Sequence, residues 1–267
     1  MTTDARRYGQ DVERLGLSTT HKQVLSWIAP GSTVLELGCA SGYIGRILME
    51  EKGCQVTGVE FDANAASEAR ARGLTVIEGS LEERAFRDSI PGRYDYVVAS
   101  DVIEHLRNPA EVLEHFKQWL APGGQAIISV PNIAAWEIRH QLFFKGDFEY
   151  KETGILDRTH VHFFTWDTLH KLLADQNWSI VETMVAKWEL PVARGVLVSA
   201  PKDVRVFLEK LNEKQGFAGR ALHTAFHGLA AGLERGGTSI VNSIAKNWPN
   251  LCAQHIAMLL KPPTLPG

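Results

Sequence analysis

Two acids and a run of glycines carry the first chemical signal. In the stretch 33–45, TVLELGCASGYIG, Glu36 stands two residues before Gly38, and Gly42 and Gly45 follow at G-x-x-x-G-x-x-G spacing. A glycine-rich turn between a buried strand and a helix N-terminus is a common holder of nucleotide-like ligands. A dinucleotide pyrophosphate needs the shorter G-x-G-x-x-G turn, with backbone N–H groups close around the phosphates. Here the turn is longer, and a carboxylate at Glu36 would repel phosphate. It suits a cationic ligand with an α-amino group, which favours S-adenosylmethionine over NAD. Glu60 ends the next apolar run, 55–60, the position at which an α/β fold grips ribose hydroxyls.

The elements needed to position these groups are legible as a rhythm. Strands are expected at 33–37, 55–60, 74–78, 94–99 and 125–130, separated by helices at 42–52, 62–72, 82–89 and from Asn108-Pro109 to Pro122-Gly123-Gly124. Such alternation means βαβ units and a mostly parallel sheet, with ligands at the strands' carboxyl ends. Glu36, Glu60, Ser80 and Asp101 all fall at such ends. A first segment, 1–29, carries a helix capped by Thr19 or Thr20. The segment 133–165 breaks the rhythm with many aromatics and a polar cluster, Asp157 to His162, and is read as a lid or substrate wall. A helix at 166–176 and a strand at 178–188 complete the core, 30–190. A helical insertion is expected at 191–248, packed on the domain or in a dimer rather than on a membrane. A last strand near 251–260 then lies antiparallel beside the sixth strand, followed by a tail. The fold class is thus α/β, Rossmann-like and doubly wound, with a seven-stranded sheet.

Bulk properties narrow the partners. The chain has 267 residues, is 22% charged and carries a net charge of −3, so it lacks the basic excess of a nucleic-acid binder. Three cysteines, Cys39, Cys54 and Cys252, show no C-x-x-C spacing; reduced thiols and a cytoplasmic location are expected. The N-terminus has no apolar leader, and no apolar run approaches the ~20 residues that span a bilayer.

Five stretches together resemble one family. VLELGCASGYIG is similar to motif I of class I S-adenosylmethionine-dependent methyltransferases, VTGVEFD to the strand ending in a ribose-binding acid, and YDYVVASDVIEHLRNP and LAPGGQAIISVPN to motifs II and III. D-V-I-E-H-L-x-N-P points to the ubiquinone-methyltransferase-like branch. GILDRTHVHFFTWDTLHKLLADQNW resembles a segment of bacterial methyltransferases from polysaccharide and sugar pathways. The resemblance implies that Gly38, Cys39, Ala40 and Gly42 form the cofactor turn, that Glu36 holds backbone or amino groups beneath it, and that Glu60 takes both ribose hydroxyls. It places Phe61 against adenine, Ser80 and Leu81 at the adenine amino group where the family often has an aspartate, and Ser100 and Asp101 beside the sulfonium. His105 would stand over the substrate pocket. Asp101, Glu104 and His105 are similar to a triad that holds Mg²⁺ in some ubiquinone-type relatives. A hard cation wants more oxygen ligands than they supply, and no metal is expected.

Methyl transfer from a sulfonium to a hydroxyl asks the protein for orientation and is helped by a base. Histidine has the pKa for that role, so His105 is the first choice, with Asp101 orienting or replacing it and His160 or Asp157 next. The expected activity is O-methylation of a small-molecule hydroxyl, a sugar or lipid-linked glycan precursor before a quinone or phenol. A partner protein that binds the cofactor without turnover is the non-enzymatic rival. Beyond the acceptor, the one partner considered is a second copy of the chain.

Overall fold

A computed structural model describes residues 17–187 and 253–263. The expected insertion at 191–248, Cys252 and the first sixteen residues lie outside the described residues. Seven strands are seen: β1 (Thr33–Leu37), β2 (Gln55–Glu60), β3 (Thr75–Glu78), β4 (Tyr94–Ser100), β5 (Leu120–Pro131), β6 (Ser179–Lys187) and β7 (Ala253–Lys261). The helices are α1 (Thr19–Trp27), α2 (Tyr43–Lys52), α3 (Ala63–Ala71), α4 (Arg84–Ser89), α5 (Pro109–Trp119), α6 (Trp136–His140) and α7 (Trp166–Asp175). The sheet order is β3-β2-β1-β4-β5-β7-β6. The first five strands pair in parallel, and β7 runs antiparallel against β5, with Ile128 opposite Met258. The order reverses between β1 and β4, so a crevice opens at their carboxyl ends.

Both faces of the sheet are covered. Alternate residues of a strand point to opposite sides. Leu35, Val97 and Ile128 join one apolar cluster with Leu113 and Phe116 of α5 and Leu169 and Leu173 of α7. Val34, Val98 and Ile127 join another with Val24 and Leu25 of α1 and Ile44 and Leu48 of α2. Burial on both sides explains why these strands read as unbroken apolar runs rather than alternating ones.

Chain packing groups 17–133, 150–186 and 255–263 into one unit, and 134–149 with 187, 253 and 254 into another. The 133–165 segment is therefore divided. Its first part contains α6 and a π-helical turn, Gln141–Lys145. Its second part belongs with the sheet, where Ile133 N–H donates to Phe164 O at 2.9 Å.

Local chemistry shifts three boundaries. Ser18, not Thr19 or Thr20, caps α1, its Oγ accepting from His21 N–H at 3.1 Å; Thr20 is buried inside the helix. Helix α5 stops at Trp119, because proline at 122 disfavours a helical conformation at 121, and Leu120 already pairs with Tyr94. The last strand does neighbour β6, and it also slots against β5, between the two.

Candidate active site

A cavity of about 680 Å³ opens at the carboxyl edge, lined among others by Glu36, Gly38, Cys39, Ala40, Glu60 and Phe61. Ser80, Leu81, Ser100, Asp101 and His105 share its wall. Four strand ends and the turns after them thus converge as the spacing implied. Gly42 is not on the wall. It caps α2 with φ +80, and a Cβ there would lie 2.9 Å from that of Ala69, so it shapes the turn rather than facing the ligand. His160 and Asp157 are not on the wall either. Sequence reasoning missed Leu17, Ser18, His21, Tyr43 and Thr159, all of which line the cavity. The N-terminal segment gave one usable signal, a serine before a helix start, but nothing said that this helix would close over the sheet edge.

Glu36 is buried, and its Oε2 has no hydrogen-bond partner. Burial pushes its carboxyl up to about 8; a backbone hydrogen bond from Gly45 opposes the shift, and the Glu60 charge adds to it. Gly45 is required here, since a Cβ would come within 2.8 Å of that oxygen. An unpartnered buried carboxylate oxygen in a cavity wall is the acceptor an ammonium group needs. The site residues therefore fit S-adenosylmethionine, whose ammonium group such an acceptor can take.

Glu60 is spent differently from the expectation. Its Oε1 accepts from the backbone N–H of Phe61 and Asp62, and its Oε2 from that of Ala40, each at 2.9 Å. A carboxylate has about four acceptor positions, so about one remains beside these three bonds. Glu60 also pins the left-handed Ala40, φ 48, to the second strand. Burial raises its pKa against those three N–H donors. Phe61 is 57% exposed at the cavity mouth, an open face for an adenine ring. Ser80 Oγ accepts from Glu82 N–H at 3.2 Å and keeps its own proton to donate.

Asp101 is held in the left-handed region, φ 55. Its N–H donates to Ser129 O at 3.0 Å, and Ser129 Oγ donates to Asp101 Oδ1 at 2.9 Å. A non-glycine residue in that region costs on the order of 1 kcal/mol or more and persists where surroundings enforce it. Asp101 Oδ2 lies 3.9 Å from His255 Nε2. Facing this end, His21 Nε2 is 3.3 Å from the Tyr43 hydroxyl. Burial lowers the His21 pKa, partly offset by Asp101, and burial raises that of Tyr43.

His105 is oriented not by Asp101 but by Thr159, whose Oγ1 is 3.0 Å from Nδ1 and whose carbonyl is at 3.3 Å. Thr159 Oγ1 in turn donates to Asp157 Oδ1 at 2.6 Å. The His105 and His160 rings meet edge to face, centroids 4.7 Å apart. Burial lowers both imidazole pKa values. Beneath them Glu104 is 1% exposed, and burial first, then the Asp101 and Asp157 charges, holds its carboxyl well above the ordinary range.

Comparison with known proteins places the chain. The family model described as methionine biosynthesis protein MetW matches residues 18–200. The chain belongs to the MetW family. Curated relatives include ubiquinone biosynthesis O-methyltransferases of Pseudomonas paraeruginosa, 29% identical over 106 residues (38% of this chain, 45% of that protein), and of Paraburkholderia xenovorans, 31% over 117 residues (40% and 50%). The chain thus spans about half the length of these relatives. Among solved structures, a methyltransferase of Archaeoglobus fulgidus aligns with TM-score 0.57 at 15% identity, covering 96% of this chain and 99% of that one. A chain of the complex between the Haloferax volcanii Trm112 methyltransferase activator and a methyltransferase also gives 0.57, at 16% identity, covering 98% and 95%. These two likenesses show the fold. This member of the MetW family has the architecture of the class I methyltransferases.

Proposed function

We propose that this chain transfers a methyl group from S-adenosylmethionine to the hydroxyl of a small, uncharged acceptor, of phenol type. S-adenosylmethionine supplies an electrophilic methyl group when bound. Glu36 holds the ammonium end and Glu60 a ribose hydroxyl, leaving Asp101 beside the acceptor. Asp101 Oδ1 is fixed by Ser129, and Oδ2 is left to take the acceptor's proton as the new bond forms. The observation that carries the acceptor reading is the cavity wall. Its described lining residues include Glu36, Glu60, Glu82 and Asp101 but no lysine or arginine, alongside Leu17, Val102 and Leu106. A nucleotide-sugar or phosphorylated glycan would have no counter-charge there, whereas a neutral ring gains from the apolar side chains. The likeness to ubiquinone biosynthesis O-methyltransferases favours the same choice over the sugar first expected.

A panel of catechols, hydroquinones, neutral glycosides and nucleotide-sugars incubated with radiolabelled S-adenosylmethionine tests this. Methyl transfer to phenols is expected. Transfer to the sugars alone would overturn the acceptor class. S-adenosylhomocysteine binding with no transfer to any acceptor would favour the non-catalytic partner reading.

A further inference from the structure

Three polar side chains at and behind the cavity wall, Glu104, His105 and His160, turn ligating atoms toward one another. Both carboxylate oxygens of Glu104 are buried and lack a hydrogen-bond partner. Two backbone bonds hold the residue in place: its carbonyl accepts from Val161 N–H and His162 N–H at 2.9 Å. His160 Nε2 lies 4.0 Å from Glu104 Oε1. One ligating atom from each of Glu104, His105 and His160 lies within 4.8 Å of the other two.

Hydrogen-bond accounting fixes where the imidazole protons are. His160 Nδ1 is 3.1 Å from the Ile155 carbonyl, which can only accept, so Nδ1 carries the proton and Nε2 a lone pair. The Thr159 hydroxyl proton is already given to Asp157, so Thr159 Oγ1 accepts from His105 Nδ1, as does its carbonyl. His105 Nε2 is therefore also a lone pair. With both rings neutral, two imidazole lone pairs and a buried carboxylate meet with no donor among them. A proton on Glu104 would satisfy one acceptor and leave the others without a partner. A divalent ion would satisfy all three at once.

We propose that Glu104, His105 and His160 bind one late first-row divalent metal ion of the zinc class. The ligand types choose the metal, because imidazole nitrogens suit Zn²⁺ and its neighbours, while Mg²⁺ wants oxygen. This set differs from the oxygen-richer triad with Asp101, whose carboxylate is engaged with Ser129. The outer contacts have the form that orients metal-bound histidines: a carbonyl behind His160, and a threonine–aspartate relay behind His105. Two ligands on a tetrahedral ion at about 2.0 Å stand roughly 3.3 Å apart, so side-chain rotation must close the 4.0 Å gap seen here. The ion would tie the 155–162 segment to the turn after β4. His105 would then serve as a ligand rather than as a free base. The proposal stands on this geometry and does not depend on the acceptor.

The test uses the full chain, stripped with chelator and titrated calorimetrically with Zn²⁺, then with Mg²⁺, in the absence of cofactor. One Zn²⁺ per chain at micromolar affinity or better is expected, with Mg²⁺ binding at least a hundredfold weaker. Glu104→Gln and His160→Ala should each weaken Zn²⁺ by tenfold or more, while His170→Gln, on α7, leaves it unchanged. Absence of stoichiometric Zn²⁺ binding, equal Mg²⁺ binding, or unchanged affinity in both ligand variants would overturn the site. Should the variants fail to fold, X-ray absorption of the Zn²⁺-loaded wild type decides. Two imidazoles with oxygen and no sulfur support the set, and a sulfur ligand or a single imidazole refutes it.

Discussion

Single atoms decide what Glu36 and Glu60 can do. Glu60 supports three backbone N–H groups and has one acceptor position to spare. Glu60→Ala should therefore act twice. It should weaken S-adenosylhomocysteine by at least about tenfold, since a hydrogen bond to a charged group is worth ~1.5–3 kcal/mol. It should also lower the melting temperature, because the N–H of Ala40 loses its partner inside the turn. Calorimetry and a thermal scan read the two effects separately, and unchanged affinity with a lowered melting point would leave Glu60 a purely structural role. Glu36 makes a pH prediction. Its folded pKa is raised from 4.5 to about 8, so the stability tied to its proton is full below 4.5 and lost as pH rises through about 8. A ligand ammonium favours the ionised form. Cofactor affinity should thus climb between pH 6 and 8 and level off above, and Glu36→Gln should flatten that slope. A slope that survives in Glu36→Gln would assign it to another group.

Elements matter here through what they deliver to the sheet edge. Helix α1 is held by its Ser18 cap and by Lys52, whose ammonium donates to the carbonyls of Leu25 and Ile28. It brings Ser18 and His21 to the cavity wall. Removing the cap costs about 0.5–2 kcal/mol, which in a chain of this size lowers the melting temperature by about 1–8 °C. Ser18→Ala should do that and also weaken S-adenosylhomocysteine a few-fold, whereas Thr19→Ala should do neither. An effect of equal size from Thr19→Ala would return the cap to the position first expected. The segment 150–165 works in the same way: its polar cluster supplies Thr159 to the wall and His160 to Glu104, rather than a catalytic group to the acceptor.

At the scale of the molecule, binding and stability are one equilibrium. Ligand at 100 times its dissociation constant stabilises the native state by about 2.7 kcal/mol, a rise of about 5–11 °C for a chain of this size. S-adenosylhomocysteine should produce that shift and NAD none; a comparable shift with NAD would contradict the reading of the Gly38–Gly45 turn. The strand rhythm, the four acids or hydroxyls at strand ends and the long glycine turn were legible in the chain itself. Each is a local property: period-2 or apolar runs set strands, and glycine sets the turn where φ is positive. Hence the mostly parallel sheet and part of the cavity lining followed from sequence alone. Long-range contacts decided the rest. No local signal tells that Glu60 faces Ala40 twenty residues back, that Asp101 turns to Ser129 instead of His105, or that α1 closes the cavity. Nor does spacing bring His160 to Glu104, fifty-six positions away in the chain. Such pairings depend on which backbone groups remain unsatisfied after the sheet forms, and only the folded chain settles that.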